Sequence, residues 1–342
     1  MLDEPGALAP RISVVMPAYN AAAHVGAAIE SILGQTYGDF ELIVVDDGST
    51  DGTAGIVGRL ADPRLRLLRN PRNLGLVATL NRGLRACRGE LVARMDADDV
   101  SLPGRFAAQL RFLDAHPEVG VCGTSIETFG ARAERWTIVC DPALLRAELL
   151  FSSGFSHPTV MFRRALLLRH GLQYDPAYPH AEDYALWARF AAVTELANLP
   201  EVLLRYRLHG GSVSERHHPV QQASADRVRR EQLRRLGLEA SDRQLALHRT
   251  LMRGAPHTLA LDVAEAEGWM ATLLAANRRA GYCDQGALSE LLYEKWFKLC
   301  RAHRVHLHAA GLRFLESPLS RGMPLVNRLA DSARLLMPRR AA

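Results

Sequence analysis

Three carboxylates close the segment Arg94-Met95-Asp96-Ala97-Asp98-Asp99, and an earlier acidic turn reads Val44-Val45-Asp46-Asp47-Gly48-Ser49-Thr50-Asp51. Like charges packed this closely repel, so an ordered fold keeps them together when a cation sits among them. Hard divalent ions such as Mg2+ or Mn2+ want oxygen ligands, and an ion carrying a substrate diphosphate needs few of them from the protein. Two aspartates one residue apart at a strand end can turn one carboxylate to the metal and the other to a ribose or sugar hydroxyl. The competing account is an acidic turn that caps a helix starting near Ser101-Leu102-Pro103, and Asp99 suits that account best.

Other residues invite chemistry of their own. Paired acids after an apolar strand also occur in phosphoacceptor receiver domains. Those require a lysine at a later strand end, and the first lysine here is Lys295. A carboxylate in the Asp46-Asp47 turn can instead accept the N3–H of a uracil or thymine. A plain Asx-type turn fits Asp46 or Ser49 better than Asp47. Asn73-Leu74-Gly75 and Asn81-Arg82-Gly83 offer backbone and amide donors beside the same place, or else a turn with Asn73 or Gly75 at positive φ. Neither a GxGxxG nor a P-loop pattern occurs, so phosphates would be bound through metal rather than a glycine cradle. In His180-Ala181-Glu182-Asp183-Tyr184 the acidic pair either complements a helix dipole or projects one carboxylate as a general base.

These residues need elements to hold them. Ile12 to Met16 reads as a buried strand stopped by Pro17, Leu42 to Val45 as a second, Leu65 to Leu68 as a third and Leu91 to Met95 as a fourth. Helical spacing covers 21–33, 51–60 with Asp51 as cap, and 76–86. Strands alternating with helices imply βαβ units and a mostly parallel sheet, whose ligands bind beyond the carboxyl ends of the strands. Pro17-Ala18-Tyr19-Asn20, Asp46-Asp47, 70–75 and 96–99 all fall at such ends. From Pro103 to about His209 the pattern is mixed, with a helix over 106–113 and short apolar runs at 119–122, 159–162 and 202–206. After Ser214 it is almost wholly helical, with breaks expected at 254–257 and 281–286 and linker candidates at Gly210-Gly211 and His217-His218-Pro219.

The bulk composition agrees with an α/β enzyme of one or two domains. Of 342 residues 48% are hydrophobic, enough for a substantial core. A net charge of +5 suits an anionic ligand without demanding nucleic acid. All basic residues except Lys295 and Lys298 are arginine, which a GC-rich coding bias explains. The five scattered cysteines show no metal or disulfide spacing and read as thiols in a reducing compartment. Met1 to Pro10 lacks a signal-peptide pattern, no apolar run reaches the ~20 residues of a membrane span, and a cytoplasmic protein is expected.

Taken together, Val14 to Asn20, Ser31-Ile32-Leu33-Gly34-Gln35-Thr36-Tyr37, the Asp46-Asp47 turn, Arg94 to Asp99 and Glu182-Asp183 resemble the inverting family 2 glycosyltransferases, across roughly residues 11–210. The resemblance implies a GT-A fold: a mostly parallel central sheet flanked by helices, followed here by a C-terminal helical region. It divides the chain into a nucleotide-sugar-binding half (1–101), an acceptor-binding half with the catalytic base (102–214) and a helical region (215–342). Pro17, Tyr19 and Asp47 would line the base site, with Arg72 and Asn73 closing over base and ribose. Asp96 would face the ribose or sugar, Asp98 would ligate Mn2+ or Mg2+, and Asp183 would be the base with Glu182 beside it. His157, in a segment common among polysaccharide-building members, would form an acceptor-side wall, with Trp187 nearby. His209 would reach the metal or diphosphate, or be a surface histidine. The implied reaction moves a sugar from a nucleotide-diphosphate sugar, most simply a UDP-sugar, to a hydroxyl of a glycan or lipid-linked saccharide. A sugar-phosphate nucleotidyltransferase and a non-catalytic nucleotide-sugar-binding protein are the alternatives. Beyond 215 the Arg-rich helices, such as Val326 to Arg340, would pack on the catalytic domain or a second copy, or lie against an anionic membrane at its inner face.

Overall fold

Ile12-Ser13-Val14-Val15-Met16 is buried at every position, as a strand covered on both faces must be, and it forms the centre of β1 (Ile12–Ala18). In a computed structural model, the structure describes residues 9–208, 218–253, 263–302, 314, 316–321, 329 and 331–332. Further strands are β2 (Phe40–Asp46), β3 (Leu65–Arg69), β4 (Leu91–Arg94), β5 (Val100–Ser101), β6 (Val119–Gly130), β7 (Arg135–Trp136), β8 (Met161–Arg163) and β9 (Glu195–Leu208). They make one sheet in the order β3-β2-β1-β4-β8-β6-β9-β5, with β7 paired to β6. The β3-β2-β1-β4 ladder is parallel, β8 is antiparallel to β4 and β6, and β6 and β9 run parallel to each other.

Helices α1 (Val25–Leu33), α2 (Thr53–Gly58) and α3 (Leu76–Ala86) supply the crossovers of the parallel half. The helices α4 (Arg105–Ala115), α5 (Pro142–Glu148), α6 (Arg164–His170) and α7 (Glu182–Phe190) follow. The chain forms two compact units, one from Met1–Pro142 and Ser153–Ala225, the other from Ala143–Ser152 and Asp226–Ala342. The sheet and its core of Ile12, Val14, Met16, Val44, Leu91, Phe106 and Met161 belong to the first. The second gathers α5, the end of α8 (His218–Arg235), α9 (Asp242–Arg253), α10 (Val263–Ala280), α11 (Gln285–Ala302) and α12 (Pro318–Arg321). Its core holds Trp269, Trp296 and Phe314. Within it His248 stacks flat on Phe151 with centroids 4.3 Å apart, shares a 2.8 Å bond with the Leu150 carbonyl and accepts the Trp269 indole N–H at 3.2 Å.

Several expectations shift by a physical reason. Pro17 does not stop β1. Val15 O faces β4, where it accepts the Met95 N–H, and Ala18 O faces β2, where it accepts the Asp47 N–H. By alternation Pro17 faces β4, whose ladder with β1 ends at Val15↔Arg94, so no donor is missed there. The run at 119–122 is the start of a strand of twelve residues, and 202–206 is part of one of fourteen. Val100-Ser101 is a strand paired with β9, and α4 begins only at Arg105. The break at 281–286 falls between α10 and α11, with Gly281 at φ 60°. The break at 254–257, the linker candidate Gly210-Gly211, His217 and nearly all of 326–340 lie outside the described residues, whereas His218 and Pro219, expected in a linker, open α8. All five cysteines are unbridged, and no described helix is long and apolar enough to cross a membrane.

Candidate active site

The carboxyl ends of β1, β2 and β4, the start of α7 and the far ends of β6 and β9 line one pocket. Pro17, Tyr19, Asp47 and Asn73 stand in its wall with Arg94, Asp96, Asp98, His157, Glu182 and Asp183. In strand order these run from β2 through β1 to β4, and Ile126 of β6 with Tyr206 and Arg207 of β9 complete the wall.

At the β2 end, Asp46 is fully buried and serves the turn, accepting Ser49 N–H at 3.1 Å and Arg69 Nε–H at 3.2 Å. Asp47 is also buried, but it organises the next loop. Its Oδ1 accepts Asn70 Nδ2–H at 2.7 Å and Leu74 N–H at 2.8 Å, and its Oδ2 accepts Gly75 N–H at 2.9 Å. A carboxylate has about four acceptor positions, so one on Oδ2 is left for a ligand N–H. Gly48 between the strand and this loop has φ 70°, and a Cβ there would lie 2.4 Å from the Arg72 carbonyl carbon. Tyr19 is half exposed at the end of β1 and presents its ring to the pocket.

The centre of the pocket is acidic. Asp96, Asp98 and Asp99 offer ligand oxygens that all lie within 4.8 Å of one another. Arg94, itself buried, ion-pairs with Asp96. Burial pushes Asp96 up from the ordinary carboxylate range, with Arg94 acting against it. Asp99 is 1% exposed; its Oδ1 accepts the Arg207 N–H at 2.8 Å and its Oδ2 meets no partner. Burial, then Asp96 and Asp98, push the Asp99 carboxyl up to about 8. A buried carboxylate oxygen without a donor, beside two further carboxylates, fits a hard divalent cation held through oxygen.

Opposite this cluster, Glu182 and Asp183 form the first turn of α7. Asp183 Oδ1 accepts the Tyr184 N–H at 2.7 Å. Burial raises the Asp183 carboxyl, and burial followed by the neighbouring Asp183 raises Glu182 to about 7. Carboxylates lifted in this way accept protons more readily near neutral pH than ordinary ones do. His157 opens a 3-10 turn over His157–Thr159 and shares a 2.8 Å bond between Nε2 and the Tyr174 hydroxyl. Burial, then Arg94, hold it well below its usual pKa, so it stands neutral.

The glycosyl transferase family 2 profile matches residues 13–172. A glycosyltransferase of Haemophilus influenzae is 32% identical over 237 residues, covering 66% of this chain and 73% of that protein. The chain belongs to glycosyl transferase family 2.

Amylovoran biosynthesis glycosyltransferase AmsE of Erwinia amylovora is 33% identical to this glycosyltransferase, over 55% of this chain and 72% of its own. The Escherichia coli UDP-Glc:alpha-D-GlcNAc-diphosphoundecaprenol beta-1,3-glucosyltransferase WfgD is 28% identical, over 59% and 79%. Among solved structures, Staphylococcus aureus TarS 1–349 with UDP-GlcNAc superposes with TM-score 0.55 at 19% identity, covering 95% of this chain and 89% of that one. A Pyrobaculum calidifontis mannosyltransferase with GDP-Man and Mn2+ gives TM-score 0.50 at 21% identity, over 96% and 87%. The fold is therefore the GT-A arrangement, and family membership sets aside the nucleotidyltransferase.

Not every expected residue of this glycosyltransferase reaches the pocket. Arg72 is exposed and absent from the pocket wall, where its backbone packs over Gly48. Trp187 is fully buried and does not line the pocket; one turn along α7 from Asp183, it packs among Phe155, His157, Phe162 and Phe190. Asn81 and Arg82 spend their donors on their own chain, on Tyr174 O at 2.8 Å and Arg69 O at 2.6 Å. Gly75, not Asn73, takes the positive φ, and Asn73 Oδ1 accepts its N–H at 3.0 Å. Asp99 is no exposed helix-start acid. His209 lies outside the described residues.

Sequence reasoning missed Arg94 as a resident cation, although it stands two residues before Asp96. It also missed Arg207, whose N–H serves Asp99 and whose Nε–H donates to the Asp98 carbonyl at 2.8 Å. Tyr206 and Trp136, both in the pocket wall, carried no signal beyond being aromatic.

Proposed function

We propose that this glycosyltransferase is a metal-dependent inverting enzyme that takes its sugar from a UDP-sugar and places it on a hydroxyl of a glycan or lipid-linked saccharide. The observation that supports this most is the joining of Asp47, Asp96, Asp98 and Asp183 in one pocket, with an oxygen of Asp99 within 4.8 Å of those of Asp96 and Asp98. Asp47, with its remaining acceptor position, meets the base N–H, and Tyr19 and Pro17 pack on the ring. Asp96 faces the ribose or donor sugar. Asp98, with Asp99 behind it, holds Mn2+ or Mg2+. When bound, such an ion supplies Lewis-acid stabilisation of negative charge on a diphosphate.

Asp183 takes the proton of the acceptor hydroxyl while that oxygen bonds to the anomeric carbon. The bond from that carbon to the diphosphate oxygen breaks on the opposite face, its electron pair leaving with UDP, so the configuration inverts. Glu182, whose carboxyl burial raises to about 7, offers a second proton site beside the base. His157, kept neutral, adds no positive charge that would lower the proton affinity of Asp183.

The relatives support the acceptor class, since WfgD is named for transfer to a diphosphoundecaprenol-linked GlcNAc. TarS with UDP-GlcNAc supports a uridine donor, and the mannosyltransferase with GDP-Man makes guanosine the comparison to run. Calorimetry of UDP and GDP with Mn2+ is expected to give binding for UDP only; preferential GDP binding would overturn the donor assignment. Asp183→Asn should keep UDP affinity and lower transfer by about 10²- to 10⁴-fold. Unchanged turnover in that variant removes Asp183 as the base.

A further inference from the structure

Trp136 is the one exposed tryptophan of the four, 42% exposed, while Trp187, Trp269 and Trp296 are buried. It sits on β7, the two-residue strand paired to β6 through Ile126↔Trp136. Its ring lies 6.2 Å from that of Tyr206 on β9, tilted by 30°, and both line the pocket with Ile126. The indole N–H is turned to Glu134 Oε2 at 3.3 Å, so the polar edge of the ring is engaged by its own chain. The β6–β9 ribbon carries this pair out past β8, which meets β6 only at Val121 and Cys122.

We propose that Trp136 and Tyr206 form an aromatic platform for a pyranose ring of the acceptor saccharide. The inference rests on the glycosyltransferase reading of the same pocket. An exposed aromatic face buries the C–H face of a sugar ring, while the hydroxyls around the ring's rim remain free for polar partners. The place along the sheet selects acceptor over nucleotide. The base-reading Asp47 follows β2, the acid cluster follows β4, and Trp136 hangs from β6, two strand positions beyond β4. A donor anchored at β2 with its diphosphate at β4 leaves the β6 end to the second substrate. Asp183, which must reach the acceptor hydroxyl, lines that pocket too.

Because the other three tryptophans are buried, iodide quenching of intrinsic fluorescence reports Trp136. The test uses the full chain with UDP and Mn2+, titrated with cellobiose, lactose, maltose and N,N′-diacetylchitobiose. At least one disaccharide should shield Trp136 from iodide, and UDP-GlcNAc alone should not. Saturation-transfer NMR with that disaccharide should show binding lost or weakened about tenfold in Trp136→Ala and retained in Trp136→Phe. Calorimetric UDP affinity should be the same in all three proteins. Shielding by no disaccharide while UDP binds normally overturns the platform alone, as does shielding by UDP-GlcNAc or loss of UDP affinity in Trp136→Ala. Failure of the native protein to bind UDP at all overturns the underlying donor reading instead.

Discussion

Ligand oxygens of Asp96, Asp98 and Asp99 crowd within 4.8 Å, and the chain sets its own groups against that charge. Arg94 pairs with Asp96, and the Arg207 N–H caps one oxygen of Asp99. Burial alone would lower Arg94, but Asp96 outweighs it and the guanidinium is held above its usual pKa. Removing one partner of such a buried pair strands the other, at a cost of about 3–5 kcal/mol. Arg94→Met should therefore lower the melting temperature of the metal-free protein, and saturating Mn2+ should recover more of the loss than it adds to the native protein. Equal Mn2+ increments in the two proteins would show that Arg94 does not share counter-charge duty with a metal. In Asp98→Ala, Mn2+-dependent UDP affinity should fall at least about tenfold. Unchanged affinity by calorimetry would remove Asp98 as the ligand.

The elements that aim these side chains depend on a few backbone positions. At Gly48 the turn after β2 runs at φ 70° with the Arg72 backbone pressed against it, so Asp47 can collect the Leu74 and Gly75 amides. Gly48→Ala should cost about 1–3 kcal/mol of strain and loosen the 70–75 loop, seen as weaker UDP binding. An unaltered UDP affinity would separate the loop from the nucleotide. This half of the site was legible in the sequence because β1 to β4 are short, apolar and punctuated, and each acidic turn follows its strand directly. The other half was not. The long β6 and β9 show no alternation at Gly123-Thr124-Ser125 or Leu199-Pro200-Glu201, and their register shifts near Ser125. Trp187, one turn along α7 from Asp183 and on the same face, was implied as a pocket residue, yet the helix carries it down among Phe155, Phe162 and Phe190. Asp99 read as a helix-start acid because sequence spacing cannot show that the Arg207 N–H, 108 residues later, comes to bond it.

At the scale of the whole molecule, the buried titratable groups pull stability in opposite directions with pH. His157 and His248 sit neutral, the latter pushed down to about 3 chiefly by burial. Their contribution is present above the ordinary histidine value of 6.5 and is lost as pH falls below it, because the unfolded chain then binds protons the folded one excludes. The acid cluster does the reverse. Asp99 rises from 3.8 to about 8 and Glu182 from 4.5 to about 7, so the folded protein holds protons that the unfolded chain releases. Their contribution is fully present below about pH 4 and is lost as pH climbs through 7 to 8. On the alkaline side the melting temperature of the metal-free protein should therefore decline between pH 6.5 and 8.5, and Asp99→Asn should flatten that decline. Saturating Mn2+ should flatten or reverse it in the native protein, since a metal displaces those protons and binds more tightly as pH rises. Asp99→Asn should respond less to Mn2+ over the same range. A native metal-free protein whose melting temperature stays level from pH 6.5 to 8.5 would mean that Asp99 is already ionised and compensated without a metal.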